Sequence, residues 1–389
     1  MKRIRLVTTH LKIWELIYYT IKSLNHRDKY YFQLINQLKE KTNSKYCYLF
    51  SSGTAAFSIA LESLKRLSNK QEVIIPAYTP LILIVKIQEN NLKPIPCDIS
   101  LKTLSFDESD FNKKVNSQNT LCAAYVRLFG IYTPISTYLK IAKENKFFLL
   151  EDDAQSFIVN TKEQGDIILF SFKRGKNFTT FSGGVLLGND EKIFESIYEN
   201  YNELKNQSTL IKLYTFIKFL AFIIIKNKYL YSIFSAVIKK FKDIDVPKDL
   251  RKNKYTNWQA SVGLRLLEKI DKLNKTRHEN TERILQSLNK YDVFQMPEID
   301  PLSNLNRFPL IIKDVKLKEK IIKNLTKSGI EVSDMYNKTL PYIFNLGYNK
   351  EDFPNAYYLA DRIITLPVHP LATSNDIDFM IEEIKKCFQ

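Results

Sequence analysis

The feature that most constrains this chain is a repeated alternation of short apolar runs with helical segments between positions 46 and 187. The runs with the length and composition of buried strands are Tyr46–Phe50, Val73–Pro76, Pro94–Ile99, Leu121–Leu128, Phe147–Leu150, Ile167–Phe172 and Gly184–Leu187. Strands that alternate with helices form sheets that are mostly parallel and covered on both faces. We therefore predict an α/β fold built on a mostly parallel seven-stranded sheet.

The remaining patterns divide the chain into three parts. Residues 11–40 carry helical periodicity, and we expect residues 1–40 to form an N-terminal helical segment. Residues 41–250 contain the strand-like runs and form the large domain. Residues 251–389 begin with one long helix, Gln259–Leu288, and continue as a smaller α+β domain that includes a strand at Phe308–Ile312.

The charge balance of the chain is strongly basic. Lysine and arginine number 58 against 42 acidic residues, which gives a net charge of +16. Such an excess indicates an anionic partner, for example a phosphate-bearing substrate, a membrane surface or a nucleic acid. A proteome rich in lysine, asparagine and isoleucine produces the same excess without any partner. The charge alone therefore does not decide, and the motifs described next lead us to expect no nucleic-acid partner.

The cysteines and the first residues bear on where the protein works. The four cysteines are Cys47, Cys97, Cys122 and Cys387. They form no CxxC pair, so a zinc site is not expected, and their scatter indicates buried thiols in a reducing compartment. The basic start is followed by His10, Lys12 and Glu15 rather than by an unbroken apolar core. This pattern favours a cytoplasmic helix over a signal peptide.

Polar groups gather at the ends of three predicted strands, where ligands bind in sheets of this kind. The first group, residues 53–55 (GTA), opens a helix and offers backbone N–H groups and a hydroxyl to a phosphate. The second, residues 151–155 (EDDAQ), directly follows an apolar strand. The third, residues 171–184, leaves a strand into a loop rich in cations and hydroxyls and ends in two glycines.

Each of these ends has a simpler structural interpretation when taken alone. A Ser-Gly-Thr sequence is usually only a helix cap, adjacent acids also cap helices, and a basic loop is usually solvated. Together they supply what an enzyme dependent on pyridoxal 5'-phosphate (PLP) needs. These needs are a lysine for the Schiff base, an acid for the pyridinium nitrogen and a phosphate cup.

The order Gly-Thr, Asp-x-x-Gln and Ser-x-x-x-x-Lys resembles the DegT/DnrJ/EryC1/StrS family of sugar aminotransferases. The resemblance covers most of the chain and extends to residues 72–79 (EVIIPAYT), 128–130 (LFG), 259–263 (QASVG) and 366–370 (LPVHP). Each motif is modest, but their order and spacing together are specific. The resemblance implies a fold-type I PLP-dependent aminotransferase that works as a homodimer.

The resemblance also implies a role for each matching residue. Lys176 matches the lysine that bonds to the cofactor, Asp152 the acid on the ring nitrogen, and Gln155 the residue beside the ring hydroxyl. Lys173 is a rival for the bond, but its spacing from Ser171 differs from the family's. The residues that match phosphate ligands are Thr54, Ala55 and Ser171.

The chain departs from the family's pattern at three places. Pro80 stands where the family has an aromatic residue that stacks on the cofactor, so either Tyr78 substitutes or the ring packs on an aliphatic face. Ser182 replaces the usual glutamate before the double glycine. The asparagine that reaches the phosphate from the partner subunit corresponds to Lys252, with Asn253 one step away. A shifted loop and a Lys-for-Asn exchange are both open at this point.

An unusual insert occupies residues 204–242, which contain eight lysines and no acidic residue. No uncharged stretch in it approaches the ~18–20 residues that a membrane span needs. A basic apolar helix without acids is typical of a segment that lies on an anionic membrane. On that alternative, residues 208–242 touch the inner membrane surface and Phe216, Leu220 and Ile224 enter the lipid. The other alternative is a helical pair packed on the chain itself or on a dimer partner.

The predicted function is transfer of an amino group, with glutamate as the expected donor, to the keto group of a nucleotide-linked sugar in surface-glycan or related biosynthesis. One alternative is a PLP- or PMP-dependent sugar dehydratase of the same fold. Because the family's dehydratases replace the lysine with histidine, Lys176 argues against it. A second alternative is a non-catalytic, membrane-associated member, which Pro80, Ser182 and the displaced Asn253 keep open.

Overall fold

The computed structural model describes residues 3–26, 28–157, 163–225 and 252–388. The strands are β1 (Tyr46–Phe50), β2 (Glu72–Pro76), β3 (Lys93–Cys97), β4 (Thr120–Val126), β5 (Phe148–Asp152), β6 (Ile167–Ser171), β7 (Gly184–Gly188), β8 (Phe294–Gln295), β9 (Phe308–Ile312) and β10 (Ile363–Leu366). The helices are α1 (Ile13–Leu24), α2 (Lys29–Thr42), α3 (Gly53–Leu67), α4 (Leu81–Glu89), α5 (Glu108–Lys114), α6 (Ser136–Asn145), α7 (Glu191–Asn202), α8 (Thr209–Ile225), α9 (Asn257–Leu267), α10 (Ile270–Leu288), α11 (Val315–Lys327), α12 (Thr339–Phe344), α13 (Pro354–Arg362) and α14 (Ser374–Lys385).

A seven-stranded sheet forms the centre of the molecule, with strand order β1-β7-β6-β5-β4-β2-β3. Strands β3, β2, β4, β5 and β6 pair in parallel, and β7 runs antiparallel to both of its neighbours, β6 and β1. This confirms the predicted mostly parallel α/β fold. The order of the strands brings the ends of β1, β5, β6 and the start of β7 to one region of the sheet.

The strands bury both of their faces, and β6 illustrates how. Its side chains alternate between two apolar clusters, as the period of two in a strand requires. Ile168 and Phe170 pack in a cluster with side chains of α1, α2, α8 and α9. Ile167 and Leu169 pack on the other side in a cluster that includes α3 and α7. The sheet is therefore covered on both faces, which explains why its strands read as nearly continuous apolar runs.

The prediction of one long helix over Gln259–Leu288 is wrong. Two helices, α9 and α10, meet at Glu268 and Lys269, where the sequence has neither glycine nor proline. Arg265 and Lys269, on either side of the break, both contact Glu15 of α1, and the Arg265 Nε–Glu15 Oε1 distance is 2.8 Å. Glu15 is buried, so these ion pairs are tertiary contacts that periodicity within one segment does not reveal. The N-terminal helical segment is likewise two helices, α1 and α2.

The C-terminal part contains a second sheet of three antiparallel strands, in the order β10-β9-β8. Strand β9 has the predicted bounds. Helices α11, α13 and α14 share an apolar cluster with the strands of this sheet. The first residues of the chain lie against this part, because Ile4 N–H donates to Gly329 O at 3.0 Å and the Arg5 carbonyl lies 2.7 Å from His369 Nε2. The division of the chain at residues 40 and 250 stays a prediction.

The basic insert begins with α8, and residues 226–242 of it lie outside the described residues. Phe219 and Ile223 of α8 are buried, and Phe216 and Leu220 pack against the same apolar cluster. The ring of Phe216 lies 6.0 Å from that of Trp258 on α9. Phe216 and Leu220 therefore pack on the chain itself, and the prediction that these two side chains enter the lipid is wrong. Among the described helices, there is none both long enough and apolar enough to cross a membrane.

Candidate active site

Strand β5 ends in the acidic motif, whose carboxylates divide between two sides of the strand. Glu151 and Asp153 both accept hydrogen bonds from Arg127 Nη1, at 2.5 and 2.8 Å, and all three side chains are buried. Strand alternation turns Asp152 the other way, and its Oδ1 accepts the N–H of Ala154 at 2.9 Å. One arginine thus engages both flanking acids, and Asp152 is left as the carboxylate that can face a ligand.

The loop between β6 and β7 carries Lys176 toward Asp152's side of the sheet. Asn177 Nδ2 donates to the carbonyls of Ser156, at 2.8 Å, and Asn304, at 2.6 Å. These bonds tie the loop to the end of the acidic motif and to the C-terminal part. Lys173 is exposed to solvent, whereas Lys176 is partly buried. Lys176 is thus less exposed than its rival, and Asp152 lies close enough to affect its pKa.

Lys176 and Asp152 each alter the other's protonation. Burial lowers the pKa of Lys176 to about 8, Asp152 partly offsets this effect, and the cations Arg307 and Lys173 add to it. Burial raises the pKa of Asp152 to about 6, against the opposing effects of the Ala154 N–H and of Lys176. Between these two values the acid is ionised, and the share of neutral amine grows as the pH approaches 8. A neutral amine is the nucleophilic form of lysine.

The first turn of α3 lies against the end of β6, where the sequence predicts the phosphate cup. A Cβ added to Gly53 would lie 2.8 Å from Ser171 Cβ, and one added to Gly184 would lie 2.6 Å from Gly53 Cα. Glycine at both positions lets the two strand ends and the helix start approach this closely. Ser52 Oγ accepts the Ala55 N–H at 3.0 Å, so this N–H serves the helix cap. The Ser171 hydroxyl lies beside a helix N-terminus, which favours anions.

The segment before α9 lies next to this cup. The Asn253 N–H donates to Ser51 Oγ at 3.2 Å, and the Asn253 carbonyl accepts the Ser51 N–H at 2.8 Å. Lys252 instead contacts Glu62 of α3. Thr54, in the first turn of α3, is partly exposed. Within one chain, Asn253 therefore lies close to its own cup, and its contact with the cup of a partner subunit stays a prediction.

On the side of the predicted cofactor ring, Gln155 is held in one orientation. Its Oε1 accepts the Phe129 N–H at 3.2 Å, and its Nε2 donates to the Tyr336 hydroxyl at 2.7 Å. Phe129 and Tyr336 have φ angles of 58° and 63°, in the left-handed region that non-glycine residues seldom adopt. Tyr78 is buried, donates to Met335 O at 2.5 Å and has its ring 5.4 Å from that of Tyr336. Tyr336, which the sequence analysis missed, is thus the aromatic residue that contacts Gln155.

A second residue that the sequence analysis missed is Arg307, directly before β9. Its Nη1 lies 3.0 Å from Met335 Sδ, a weak acceptor, and its Nη2 lies 3.9 Å from where Gly175 would carry a Cβ. Its Nε is buried without a partner, and no oxygen of the described residues accepts from its guanidinium. A partly buried guanidinium next to Lys176 is poised for an anion. The only sequence signal is a lone cation before an apolar strand.

The residues of this region fit PLP. Lys176 is an amine with a lowered pKa, Asp152 is a buried carboxylate within its electrostatic range, and Gln155 presents an amide on the same side. The start of α3 and Ser171 provide donors for a phosphate at a helix N-terminus. The residues that the sequence motifs predict for one site therefore lie in one region of the fold.

Comparison with known families identifies the group to which the chain belongs. The profile of the DegT/DnrJ/EryC1/StrS aminotransferase family matches residues 24–385. The chain belongs to this family. It is thus a member of a family of PLP-dependent aminotransferases, in agreement with the resemblance carried by its motifs.

Several members of the DegT/DnrJ/EryC1/StrS family are similar to this chain over nearly its full length. GDP-perosamine synthase of Escherichia coli O157:H7 is 23% identical and aligns with 94% of this chain and 92% of its own. The Helicobacter pylori aminotransferase PseC, involved in the biosynthesis of pseudoaminic acid, has 18% identity and a TM-score of 0.78, covering 100% of this chain and 99% of its own.

Another solved structure, the E. coli GDP-4-keto-6-deoxy-D-mannose-3-dehydratase with bound hydrated PLP, has 19% identity and a TM-score of 0.77. It covers 99% of this chain and 100% of its own. At such identities the superpositions show the shared fold alone. They confirm the predicted fold-type I architecture. The reaction of this member has to be inferred from its own residues.

Proposed function

We propose that this chain is an aminotransferase that moves an amino group, with glutamate as donor, to the keto group of a nucleotide-linked sugar. The observation that carries the proposal is the pairing of Lys176 with Asp152 at neighbouring strand ends, with pKa values of about 8 and about 6. Such a pairing is what PLP chemistry requires of its lysine and its acid. Family membership supports the same reaction class.

The cofactor-binding residues in this proposal are those that the sequence predicts. Lys176 bonds to PLP, Asp152 pairs with the ring nitrogen and Gln155 lies beside the ring hydroxyl. The residues that surround the phosphate and the ring are Thr54, Ala55, Ser171, Tyr78 and Asn253. When bound, PLP supplies an electron sink that stabilises negative charge at the substrate carbon.

Lys176 has two tasks in the reaction. Its amine would hold the cofactor until a donor amine takes its place, and the freed amine would then accept and return the proton at the donor's Cα. A pKa of about 8 suits a group that must both accept and release a proton near neutral pH. Asp152, ionised above about pH 6, would hold the ring nitrogen of a bound cofactor protonated.

The donor side of the proposal is supported by Arg307. Its guanidinium lies beside the Lys176 loop, and no oxygen of the described residues accepts its N–H groups. A donor amino acid whose amine replaces that of Lys176 would carry its carboxylate next to that amine, where the guanidinium of Arg307 would bind it. Arginine binds carboxylates with two parallel hydrogen bonds. A donor that is an amino acid, such as glutamate, therefore suits the site.

The acceptor side rests on the relatives. GDP-perosamine synthase and other similar proteins are named for nucleotide-linked sugars, and one relative is a spore coat polysaccharide biosynthesis protein. We extend this class, and a role in surface-glycan or related sugar biosynthesis, to the present chain. A sugar dehydratase of the same fold is the alternative, and Lys176 argues against it. Stoichiometric consumption of glutamate with formation of an amino sugar separates the two reactions.

The proposal includes an assembly and a location. The enzyme is a cytoplasmic homodimer, and Asn253 lies where a partner subunit would contribute to the phosphate cup. Residues 208–242 touch the inner membrane surface, a location supported by the lysines of this stretch and by the exposed Leu210 and Leu213 of α8. Sedimentation tests the dimer, because an active monomer would contradict it.

The test of the reaction starts from purified protein with PLP. The protein is expected to be yellow, and borohydride is expected to abolish the visible band by reducing the bond to lysine. Lys176→Ala is expected to lose the reducible bond and the transfer of nitrogen from isotopically labelled glutamate. A Lys176→Ala protein that still forms a borohydride-reducible lysine adduct would refute the assignment.

A further inference from the structure

Helix α1 is apolar on two opposite sides, and only one of them is covered. Leu16 and Ser23 on the inner side are buried where α1 packs on α9. The outer side carries large apolar residues at three- and four-residue steps, which places them on one face of the helix. Their exposed fractions are 56% for Trp14, 40% for Ile17, 52% for Tyr18, 58% for Ile21 and 75% for Leu24. A helix that is apolar all round is normally buried.

Helix α8 packs beside α1 and adds to this surface. Its inner residues face the protein, but Leu210 and Leu213 in its first turns are 79% and 54% exposed. We call the outer residues of α1 together with these two leucines the α1–α8 face. It spans about 15 Å along α1, from the rise of 1.5 Å per residue between Trp14 and Leu24. Its size marks an interaction surface rather than scattered exposed side chains.

The charged side chains of α1, its capping residue and α8 that reach solvent are all lysines. The single acid of α1, Glu15, is buried and bound by Arg265 and Lys269. Helix α8 has no acidic residue. The lysines of the two helices are Lys22 of α1 and Lys212 and Lys218 of α8, and Lys12 caps α1. The face is therefore apolar in its centre and basic at its edge.

We propose that the α1–α8 face binds an anionic lipid surface. Tryptophan and tyrosine favour the boundary between lipid headgroups and acyl chains, and lysines reach from there to the phosphates. The inference extends the proposed membrane contact of residues 208–242 to α1, which lies outside that stretch. It does not depend on the aminotransferase reaction.

The charge pattern disfavours a second copy of the chain as the occupant. A symmetric dimer centred on this face would bring the face of one copy against the same face of the other. Lys12, Lys22 and Lys212 of both copies would then approach one another, without an exposed acid on α1 or α8 to compensate. Like charges brought together oppose association. Anionic headgroups complement the same lysines.

Tryptophan fluorescence tests the proposal directly. The chain has two tryptophans, Trp14 on the face and Trp258, which is 7% exposed. The cofactor-loaded, full-length protein is mixed with vesicles of phosphatidylcholine alone or of phosphatidylcholine and phosphatidylglycerol in equal parts. The emission is expected to shift to shorter wavelength and to be quenched by brominated acyl chains only with the anionic vesicles. Trp14→Phe is expected to remove both changes.

Flotation with the same vesicles measures the binding itself. The double variant Ile17→Ser/Ile21→Ser is expected to lower the protein's partition coefficient between vesicles and water at least ~tenfold. The reason is that two large apolar side chains are lost from the lipid contact. Phe379→Ser, which removes a side chain 43% exposed on α14, is the matched control and is expected to bind as the parent does. The visible band of lysine-bound PLP reports separately on the proposed function in every sample.

Three results would overturn the proposal. The first is equal binding, or none, to both kinds of vesicle at low salt. The second is equal flotation of the Ile17→Ser/Ile21→Ser variant and the Phe379→Ser control. The third is a shift of Trp14 emission that grows with protein concentration in the absence of lipid, which would assign the face to a second copy.

Discussion

The candidate active site and the α1–α8 face both concentrate positive charge, but in opposite settings. In the site, Lys176 and Arg307 are withdrawn from water beside a single buried carboxylate, Asp152. On the face, Lys12 and Lys22 are exposed. Burial shifts the pKa of a charged side chain and makes it depend on one or two specific partners. Exposed charges instead act together at longer range, and salt screens their effect. One substitution should therefore have a large effect in the site and a small one on the face.

The largest effect is expected for Lys176→Ala. On the proposed mechanism this change removes both the bond to the cofactor and the group that moves the proton, so amino transfer should fall by at least ~10⁴-fold. Lys173→Ala removes a lysine of the same loop that is exposed, and its turnover should stay within about threefold of the parent. Transfer of labelled nitrogen from glutamate measures both variants. Equal losses in the two would mean that burial does not distinguish the lysines.

Asp152→Asn should produce the next largest loss. The amide cannot hold the ring nitrogen protonated, and removal of one such electrostatic partner typically costs ~10²–10³-fold in rate. The side chain keeps its size, and its oxygen can still accept the Ala154 N–H, so the fold should be unchanged. Single-turnover absorbance of PLP-loaded protein with glutamate measures the rate. A rate within threefold of the parent would contradict the role given to Asp152.

Arg307→Met should weaken the apparent affinity for glutamate by ~100-fold, since two charge-assisted hydrogen bonds are lost. Arg174→Met is the control, because Arg174 carries the same charge in the Lys176 loop but is exposed and faces the ring of Phe222. The glutamate dependence of the first half-reaction measures both. Loss of PLP binding itself in Arg307→Met would instead assign this guanidinium to the cofactor's phosphate.

The pH dependence of cofactor capture gives a smaller effect with a definite sign. The neutral amine of Lys176 reacts with PLP, and with a pKa of about 8 its share rises about fivefold between pH 7 and pH 8. The rate of appearance of the visible band in cofactor-free protein should rise accordingly and then level off. Below about pH 6, protonation of Asp152 should weaken the retention of the cofactor. A rate that keeps rising to pH 10 would mean that the lysine is not withdrawn from water.

The smallest effect on turnover is expected on the α1–α8 face. Ile17→Ser/Ile21→Ser changes two exposed side chains that contact neither Lys176 nor Asp152. Surface substitutions of this kind usually have little effect on stability. Turnover with glutamate in solution should stay within about twofold of the parent, while vesicle binding falls. If turnover fell along with vesicle binding, the face and the candidate active site would not be independent, which would contradict the comparison made above.

The two regions also differ in how far the sequence predicts them. The sequence predicts the strands, and it predicts the lysine, the acid and the phosphate cup because each follows a strand directly. These are local patterns that do not depend on distant contacts. Arg307 and Tyr336 reach the site from the C-terminal part, so no local motif marks them. The break between α9 and α10 depends on the contacts of Arg265 and Lys269 with Glu15.

The sequence also does not predict which side of α1 is exposed. The periodicity predicts a helix in this segment, but Ile17 and Ile21 are as consistent with a buried position as with an exposed one. Which side of an apolar helix is covered depends on the neighbours that pack on it. In the structure α9 covers the side of Leu16, and the side of Ile17 and Ile21 is left open.

The most direct test of the central claim is to locate the lysine that bonds to PLP. PLP-loaded protein is reduced with borohydride and digested, and the modified peptide is sequenced by mass spectrometry. We predict the added pyridoxyl phosphate mass on Lys176, with Lys173 unmodified. Modification of Lys173, or of no lysine in residues 171–184, would contradict the account of this site.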